Sequence, residues 1–98
     1  MTQKMMIDAI LISGRDSVAI VNRPVRRGEV LAYMNGGELM KIAAADDIPI
    51  YHKIALLSIR AGEPVFKYGE RIGHATRDIR VGAHVHSHNL TDIGEEER

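Results

Sequence analysis

The fold is indicated by a turn sequence that occurs three times: VRRGE at residues 25–29, IRAGE at 59–63 and IRVGA at 79–83. Each copy runs from an apolar residue through arginine and one variable residue to glycine, and a valine soon follows to open a new apolar run. Because glycine adopts the positive φ that other residues resist, the pattern predicts one tight turn used three times, with its apolar residue anchored in the core. The unequal spacings of 34 and 20 residues favour a single barrel-like domain over a solenoid. Chance recurrence in a glycine-rich β domain is the alternative.

The length and composition describe one small domain. Its 98 residues include 45% hydrophobic and 27% charged side chains, which are ordinary values for a globular protein. The absence of cysteine excludes a disulfide scaffold, a thiolate metal site and a thiol nucleophile. Thirteen basic side chains balance thirteen acidic ones, so the net charge gives no argument for nucleic acid or an anionic membrane as a partner. Since no apolar run is long enough to span a bilayer and no leader-like segment is present, we expect a cytoplasmic protein.

The apolar residues are mostly β-branched, with twelve Ile and seven Val against six Leu. Such side chains fit a pleated surface, and short apolar runs broken by Gly and Pro predict an all-β fold. A hairpin turn is predicted at Gly36–Gly37, and a short helix only within residues 46–55, where Pro49 favours extended chain equally. The predicted strands are Ala9–Ser13, Ser17–Asn22, Val30–Tyr33, Met40–Ala43, Ile54–Ser58, Pro64–Tyr68, Arg71–Ala75 and His84–His88. Residues 1–90 are expected to form the domain, and the polar residues 91–98 a fraying tail.

The stretch with the clearest chemical potential is GAHVHSHN at residues 82–89. On an extended strand alternate residues share a face, so His84, His86 and His88 would line up with about 6.6 Å between successive Cα atoms and about 13 Å between the outer two. Neighbouring imidazoles at i and i+2 can converge on one divalent cation, so one His-x-His pair with ligands from elsewhere in the chain is a candidate metal site. The outer pair is too far apart for all three to bind one ion unless the strand bends. An exposed, histidine-rich edge strand without a ligand is the alternative.

Other charged residues give weaker signals. Lys53 and Lys67 are candidates for binding a carboxylate, or for acting as a base where burial lowers the pKa of the amine, although most lysines simply face solvent. The pair Asp46–Asp47 is better explained by a turn than by paired catalysis, because adjacent strand residues point to opposite faces. The sequence contains no phosphate-binding glycine loop, no nucleophile-elbow serine and no cluster of aromatic residues for base stacking.

Several motifs in a fixed order resemble one enzyme family. They are DDIPIYHKIAL at residues 46–56, GEPV at 62–65, KYG at 67–69, IG at 72–73, AT at 75–76 and GAHVHSHN at 82–89. Together they cover nearly all of residues 8–90, and they resemble the small N-terminal SAF-type domain of the altronate/galactarate dehydratase family. Tyr51 and His74 depart from the family pattern, in which glycine and arginine are common at these two positions.

The resemblance implies an all-β fold of the β-clip type and a hydro-lyase that acts on a sugar acid. The implied reaction removes the proton next to the carboxylate and expels the neighbouring hydroxyl, giving a 2-keto-3-deoxy acid after tautomerisation. Such chemistry needs a cation, a base and an acid, and the family implies Fe²⁺ or Mn²⁺ held with or by a large catalytic subunit. The implied catalytic residues are His84, His86 and His88, the latter two also as metal ligands, and the implied substrate contacts are His52, Lys53, Lys67 and Asn89.

The large region that makes up most of such an enzyme is absent from these 98 residues. The chain is then either a separate small subunit or the N-terminal domain of a longer enzyme. We expect the former, inactive alone, with the large subunit and a sugar acid as its partners, and a homo-oligomer is left open. The pattern also resembles the small subunit of sulfolactate sulfo-lyase, which expels sulfite from a related hydroxy acid. A non-catalytic sugar-binding or assembly module, with the histidines as surface residues, is the alternative from another functional class.

Overall fold

A computed structural model describes residues 6–97 as nine short strands and one short helix. The strands are β1 (Ala9–Ile10), β2 (Val18–Val21), β3 (Val30–Asn35), β4 (Glu38–Ala43), β5 (Lys53–Ala55), β6 (Pro64–Lys67), β7 (Glu70–Ala75), β8 (His84–Val85) and β9 (Leu90–Asp92), and the helix is α1 (Ile93–Glu96). They form an antiparallel sheet in the order β1-β2-β5-β8, a β3–β4 hairpin and an antiparallel sheet in the order β6-β7-β9. The predicted all-β fold with at most one short helix is confirmed, although the helix lies at the C-terminal end and not within residues 46–55.

The three repeated turns have the geometry that their glycines predict. Gly28, Gly62 and Gly82 have φ angles of 93°, 86° and 86°. In the first two copies the glutamate after the glycine accepts a hydrogen bond from the arginine amide, at 2.7 and 2.6 Å. The interpretation of the three sequences as one repeated turn is therefore confirmed.

The turns associate in pairs, which the sequence did not reveal. Isolated β-bridges join Val25 to Ile48 and Ile59 to Ile79. Ile48 begins a fourth turn, in which Tyr51 takes the positive φ, at 67°, that glycine takes in the other three. The fourth turn lacks the glycine that makes the other three recognisable in the sequence.

Each pair of turns anchors one of two apolar clusters. The first cluster contains Ala9, Ala19, Val21, Val25, Leu31, Tyr33, Ile42, Ala44, Ile48 and Ile54. The second contains Val18, Ala55, Ile59, Val65, Ala75, Ile79, Ala83, Val85 and Leu90. Neighbouring residues of β2 and β5 belong to different clusters, as expected for strands whose successive side chains point to opposite faces. Burial of these side chains is the main stabilising contribution to the fold.

The hairpin prediction at Gly36–Gly37 is also confirmed. Asn35 pairs with Glu38, and the two glycines between them have φ angles of 57° and 86°. Positive φ at both central residues gives the backbone twist that suits a two-residue hairpin.

The segment expected as a polar tail begins with strand pairing. Thr91 of β9 pairs with His74 of β7, and α1 is capped by Asp92, whose Oδ1 accepts a hydrogen bond from the amide of Glu95 at 2.9 Å. The Glu96 carboxylate contacts both Arg71, at 2.6 Å, and His74. Residues 91–96 of the expected polar tail therefore lie in β9 and α1. No helix within residues 6–97 has the length and apolar character needed to cross a membrane.

Asp16 joins two loops and gives a first test of the fold. This buried carboxylate accepts hydrogen bonds from the amides of Gly69 at 2.7 Å, Tyr68 at 3.0 Å and Ser13 at 3.2 Å. Burial alone would raise the pKa of Asp16, but the amide hydrogen bonds outweigh it and hold the pKa below its usual value.

Asp16→Asn is expected to lower the free energy of unfolding at pH 7 by about 1–3 kcal/mol, because buried amide donors lose their acceptor. Since the folded-state pKa is lowered, the carboxylate stabilises the protein above the unfolded-state pKa and loses this effect as pH falls through the folded-state value. Urea denaturation of both proteins should therefore show a gap at pH 7 that closes below about pH 4. Asp47→Asn is the control, because exposed Asp47 accepts one amide hydrogen bond, from Arg27. An equal loss in both variants would contradict this account.

Candidate functional site

Three histidines from separate parts of the chain meet at the β5–β8 edge of the four-stranded sheet. His52 directly precedes β5, His84 begins β8, and His86 directly follows β8. In the antiparallel register Lys53 lies opposite Val85, which brings His52 and His86 to the same end of the strand pair. The cluster therefore depends on long-range strand pairing as well as on the local His-x-His spacing.

The three imidazoles are close enough to act as one group. Nδ1 of His52 lies 2.8 Å from Nε2 of His84, within hydrogen-bond distance. The ring centroids are 4.1 Å apart for His52 and His86, 5.1 Å for His52 and His84, and 5.7 Å for His84 and His86, and all three pairs are stacked. One nitrogen from each ring lies within 4.8 Å of the others.

The predicted strand His84–His88 ends at Val85. From His86 onward the chain turns, and the amide of Asn89 donates to the carbonyl of His86 at 3.0 Å. An extended strand therefore does not describe the segment as far as His88, and the ring centroids of His84 and His88 lie 5.1 Å apart. The three neighbouring nitrogens belong to His52, His84 and His86, whereas the sequence pattern suggested His88 in place of His52.

Asn89 fixes the bend between the two histidines. Its Oδ1 accepts a hydrogen bond from the amide of His86, and its Nδ2 donates to the carbonyl of His84, both at 2.9 Å. The residue is only 5% exposed. Asn89 was expected to contact substrate; in the structure its side-chain amide binds the backbone of His84 and His86 and holds the two histidines in place.

Asp46 supports the cluster from the other side and was missed as a functional residue. Its Oδ2 accepts a hydrogen bond from the amide of His84 at 2.9 Å, while Asp47 binds the amide of Arg27 at 2.8 Å. The two carboxylates therefore act separately, in agreement with the rejection of a catalytic pair. No local signal in the sequence connects Asp46 with a histidine 38 positions later.

The electrostatic surroundings favour neutral imidazoles. Burial lowers the pKa of His84, and His88, His52 and His86 lower it further against the opposing effect of Asp46. Loss of surrounding water also lowers the pKa of His86, with further contributions from His52, Lys53 and His88. Neutral imidazoles present the lone pairs that a cation binds.

The donor set fits a divalent transition-metal ion. Imidazole nitrogen is a common ligand for Fe, Mn, Zn and Ni, and three protein ligands leave coordination positions free for substrate, as in catalytic sites. Ligand nitrogens on one such ion lie roughly 3–4 Å apart, given metal–nitrogen bonds of about 2.1 Å. The observed limit of 4.8 Å lies somewhat above that spacing.

Two lysines line a small cavity beside the cluster. Lys53 and Lys67 border a space of about 270 Å³ together with His86 and Ser87. Burial lowers the pKa of half-buried Lys53, and the nearby Lys67 lowers it further. Among residues 6–97 neither ammonium group forms a salt bridge, although carboxylates of β9 and α1 line the far side of the cavity. The sequence candidates Lys53 and Lys67 are thus brought together next to the histidines.

Comparison with known proteins identifies similar chains in two kinds of lyase. The chain is 41% identical over 88 residues to altronate dehydratase of Bacillus subtilis (strain 168), covering 86% of this chain and 17% of that enzyme. It is 35% identical over 89 residues to (2R)-sulfolactate sulfo-lyase subunit alpha of Chromohalobacter salexigens, covering 88% of this chain and 95% of that subunit. The corresponding subunit of Paracoccus pantotrophus is 51% identical over 49 residues, which cover 50% of this chain and 73% of that subunit.

A family profile matches nearly the whole chain, not only its motifs. Residues 7–93 match the family profile described as the altronate/galactarate dehydratase SAF domain. This range contains all the strands, the three histidines of the cluster and both lysines of the adjoining cavity. The chain belongs to the family of altronate/galactarate dehydratase SAF domains.

Proposed function

We propose that this chain is the small subunit, or the N-terminal domain, of a metal-dependent lyase that dehydrates a sugar acid with the help of a large catalytic partner. The observation that carries the proposal is the cluster of His52, His84 and His86 beside the cavity lined by Lys53 and Lys67. Imidazole nitrogens beside two ammonium groups that form no salt bridge within residues 6–97 suit a substrate that has a carboxylate next to a carbon acid.

The lysines bind the carboxylate of the substrate in this proposal. Two ammonium groups that border one cavity repel each other, and this repulsion adds to burial, the main cause of the lowered pKa of Lys53. An anion between them removes that repulsion and accepts charge-assisted hydrogen bonds from both. This role replaces the expected contact by Asn89, whose side chain holds the histidine loop.

His86 can serve either as a proton acceptor or as a cation ligand. It borders the lysine cavity and its lowered pKa leaves a free ring nitrogen at neutral pH. In the elimination, a base takes the proton from the carbon next to the carboxylate, the electron pair forms a carbon–carbon double bond, and the neighbouring hydroxyl leaves with a proton as water. The enol product then tautomerises to the 2-keto-3-deoxy acid.

His52, His84 and His86 would hold the divalent cation, Fe²⁺ or Mn²⁺, with the remaining ligands supplied by the partner and the substrate. When bound, such a cation stabilises negative charge on the carboxylate and the enediolate. Because His86 cannot both bind a cation and accept a proton through the same nitrogen, the proton acceptor is then a residue of the partner.

The direct test is reconstitution of activity from purified chains. We expect no turnover by the chain alone with altronate or galactarate and Fe²⁺, and formation of a 2-keto-3-deoxy acid once the large dehydratase chain is added. A closed pocket with both an acid and a base exceeds what a domain of this size provides. Turnover by the small chain alone, or equal activity of the large chain without it, would contradict the proposal; the latter would favour a non-catalytic assembly module.

The extent of the match to the sulfolactate sulfo-lyase alpha subunit favours a second candidate function. The chain covers 95% of the sulfolactate sulfo-lyase alpha subunit of C. salexigens, a protein named as a subunit, but only 17% of the B. subtilis dehydratase. The same cluster and lysine cavity suit elimination of sulfite from a hydroxy acid. Release of sulfite from sulfolactate by the reconstituted enzyme, without dehydration of sugar acids, would establish this alternative over the first.

A further inference from the structure

A second cavity contains arginines brought together by the repeated turns. Arg60 and Arg80 occupy the same position in two copies of the turn, and the bridge between Ile59 and Ile79 places those copies side by side. In the other pair of turns the positions equivalent to these arginines are Arg26 and Pro49. Only the second pair therefore presents two guanidinium groups together.

Arg77 completes this arginine cavity, a space of about 670 Å³ lined by Arg60, Arg77 and Arg80. One guanidinium nitrogen of Arg77 donates to the carbonyl of His88 at 2.9 Å, which fixes it at the end of the histidine loop. None of the three arginines forms an ion pair within residues 6–97. A volume of this size is typical of small-molecule sites.

The carboxylates in the arginine cavity are engaged elsewhere. Asp46 accepts the amide hydrogen of His84, and Asp78 accepts that of Ala61, both at 2.9 Å. Three guanidinium groups against two such carboxylates leave the cavity with an excess of positive charge. Arginine side chains can bind a carboxylate or sulfonate through paired hydrogen bonds.

Each of the two cavities is bordered by a histidine whose ring lies close to that of His84. His86 borders the lysine cavity and His88 borders the arginine cavity. The ring centroids of both residues lie within 6 Å of that of His84, at 5.7 and 5.1 Å. We propose that the arginine cavity binds a second acidic group of the substrate, so that the enzyme acts on a hydroxy acid with an acidic group at each end. This inference rests on the proposed function and specifies its substrate class.

The test compares two acids that differ in the second carboxylate. Both acids have six carbons. Galactarate has four hydroxyl groups and two carboxylates, whereas gluconate has five hydroxyl groups and one carboxylate. In an NMR titration of the ¹⁵N-labelled chain without metal, we expect galactarate to bind at least about tenfold more tightly, because it gains charge-assisted hydrogen bonds to arginine. Amide signals of Ala61 and His88 should shift with galactarate and much less with gluconate.

Matched variants show which arginines cause the preference for galactarate over gluconate. The double variant Arg60→Met/Arg80→Met should reduce the preference for galactarate to less than about twofold, whereas Arg26→Met, at the same position of the first turn, should leave it unchanged. Equal affinities of the unmodified chain for both acids, or a preference that survives the double variant, overturns the proposal. The proposed function and the diacid site can be refuted separately. An assembly without turnover whose small chain keeps the arginine-dependent preference for galactarate would overturn the lyase function and support the diacid site.

Discussion

His86→Ala is expected to lower the turnover of the assembled enzyme by about 100-fold or more, the effect typical of losing a metal ligand or an acid–base group. His52→Ala should have a similar effect, because His52 stacks on His86 at 4.1 Å and supplies a nitrogen of the same cluster. His88→Ala should cost less, since its ring contacts only His84 among the three. Turnover and bound metal measured for each variant test these values.

The matched control is His74→Ala. His74 is a partly exposed histidine on β7 whose ring contacts Glu96 and lies outside the cluster. This change should alter turnover by less than about threefold, and all four variants should remain folded because none of these side chains belongs to the apolar clusters. A His52→Ala/His86→Ala protein with full turnover and full metal content would refute a functional cluster.

Gly82→Ala is expected to be the most destabilising substitution among the repeated turns, with a loss of more than about 3 kcal/mol in the free energy of unfolding. A Cβ at this position would lie 2.2 Å from the carbonyl oxygen of Ala43 and 3.1 Å from the amide nitrogen of Ala45. The carbonyl of Gly82 also accepts a hydrogen bond from that amide at 2.8 Å. The backbone would have to move, in addition to the strain of about 1–2 kcal/mol that positive φ imposes on alanine.

Gly62→Ala provides the comparison, because Gly62 has the same φ of 86° with no atom within 4 Å of an added Cβ. It should lose only about 1–2 kcal/mol, the effect of φ alone. Urea denaturation of both variants measures the difference. Similar losses in the two proteins would show that close packing of Gly82 against Ala43 does not determine stability.

The turns and the hairpin were predictable because their signals are local. Gly28, Gly62 and Gly82 each follow an apolar anchor at a fixed distance, and the Asn35–Glu38 hairpin is defined by the two glycines between its ends. Glycine is favoured at positive φ whatever surrounds the turn.

The composition of the site was less predictable because it depends on long-range contacts. Periodicity correctly placed His84 and His86 close together, but extended the strand through His88, since nothing in the alternation shows that Asn89 bonds back to the preceding loop. His52 joins the cluster only through the β5–β8 register, which is not encoded in any local pattern. The pairing of Arg60 with Arg80 likewise depends on which turns meet.

The central claim is that His52, His84 and His86 form a cation site, and Co²⁺ titration of the ¹⁵N-labelled chain followed by NMR tests it most directly. Co²⁺ is paramagnetic and binds imidazole more tightly than Mn²⁺ or Fe²⁺ does. One equivalent should shift or broaden the imidazole signals of these three histidines first, leave His74 nearly unaffected, and lose this effect in His52→Ala/His86→Ala. Effects centred on the carboxylates of α1, or unchanged in the double variant, would contradict the account.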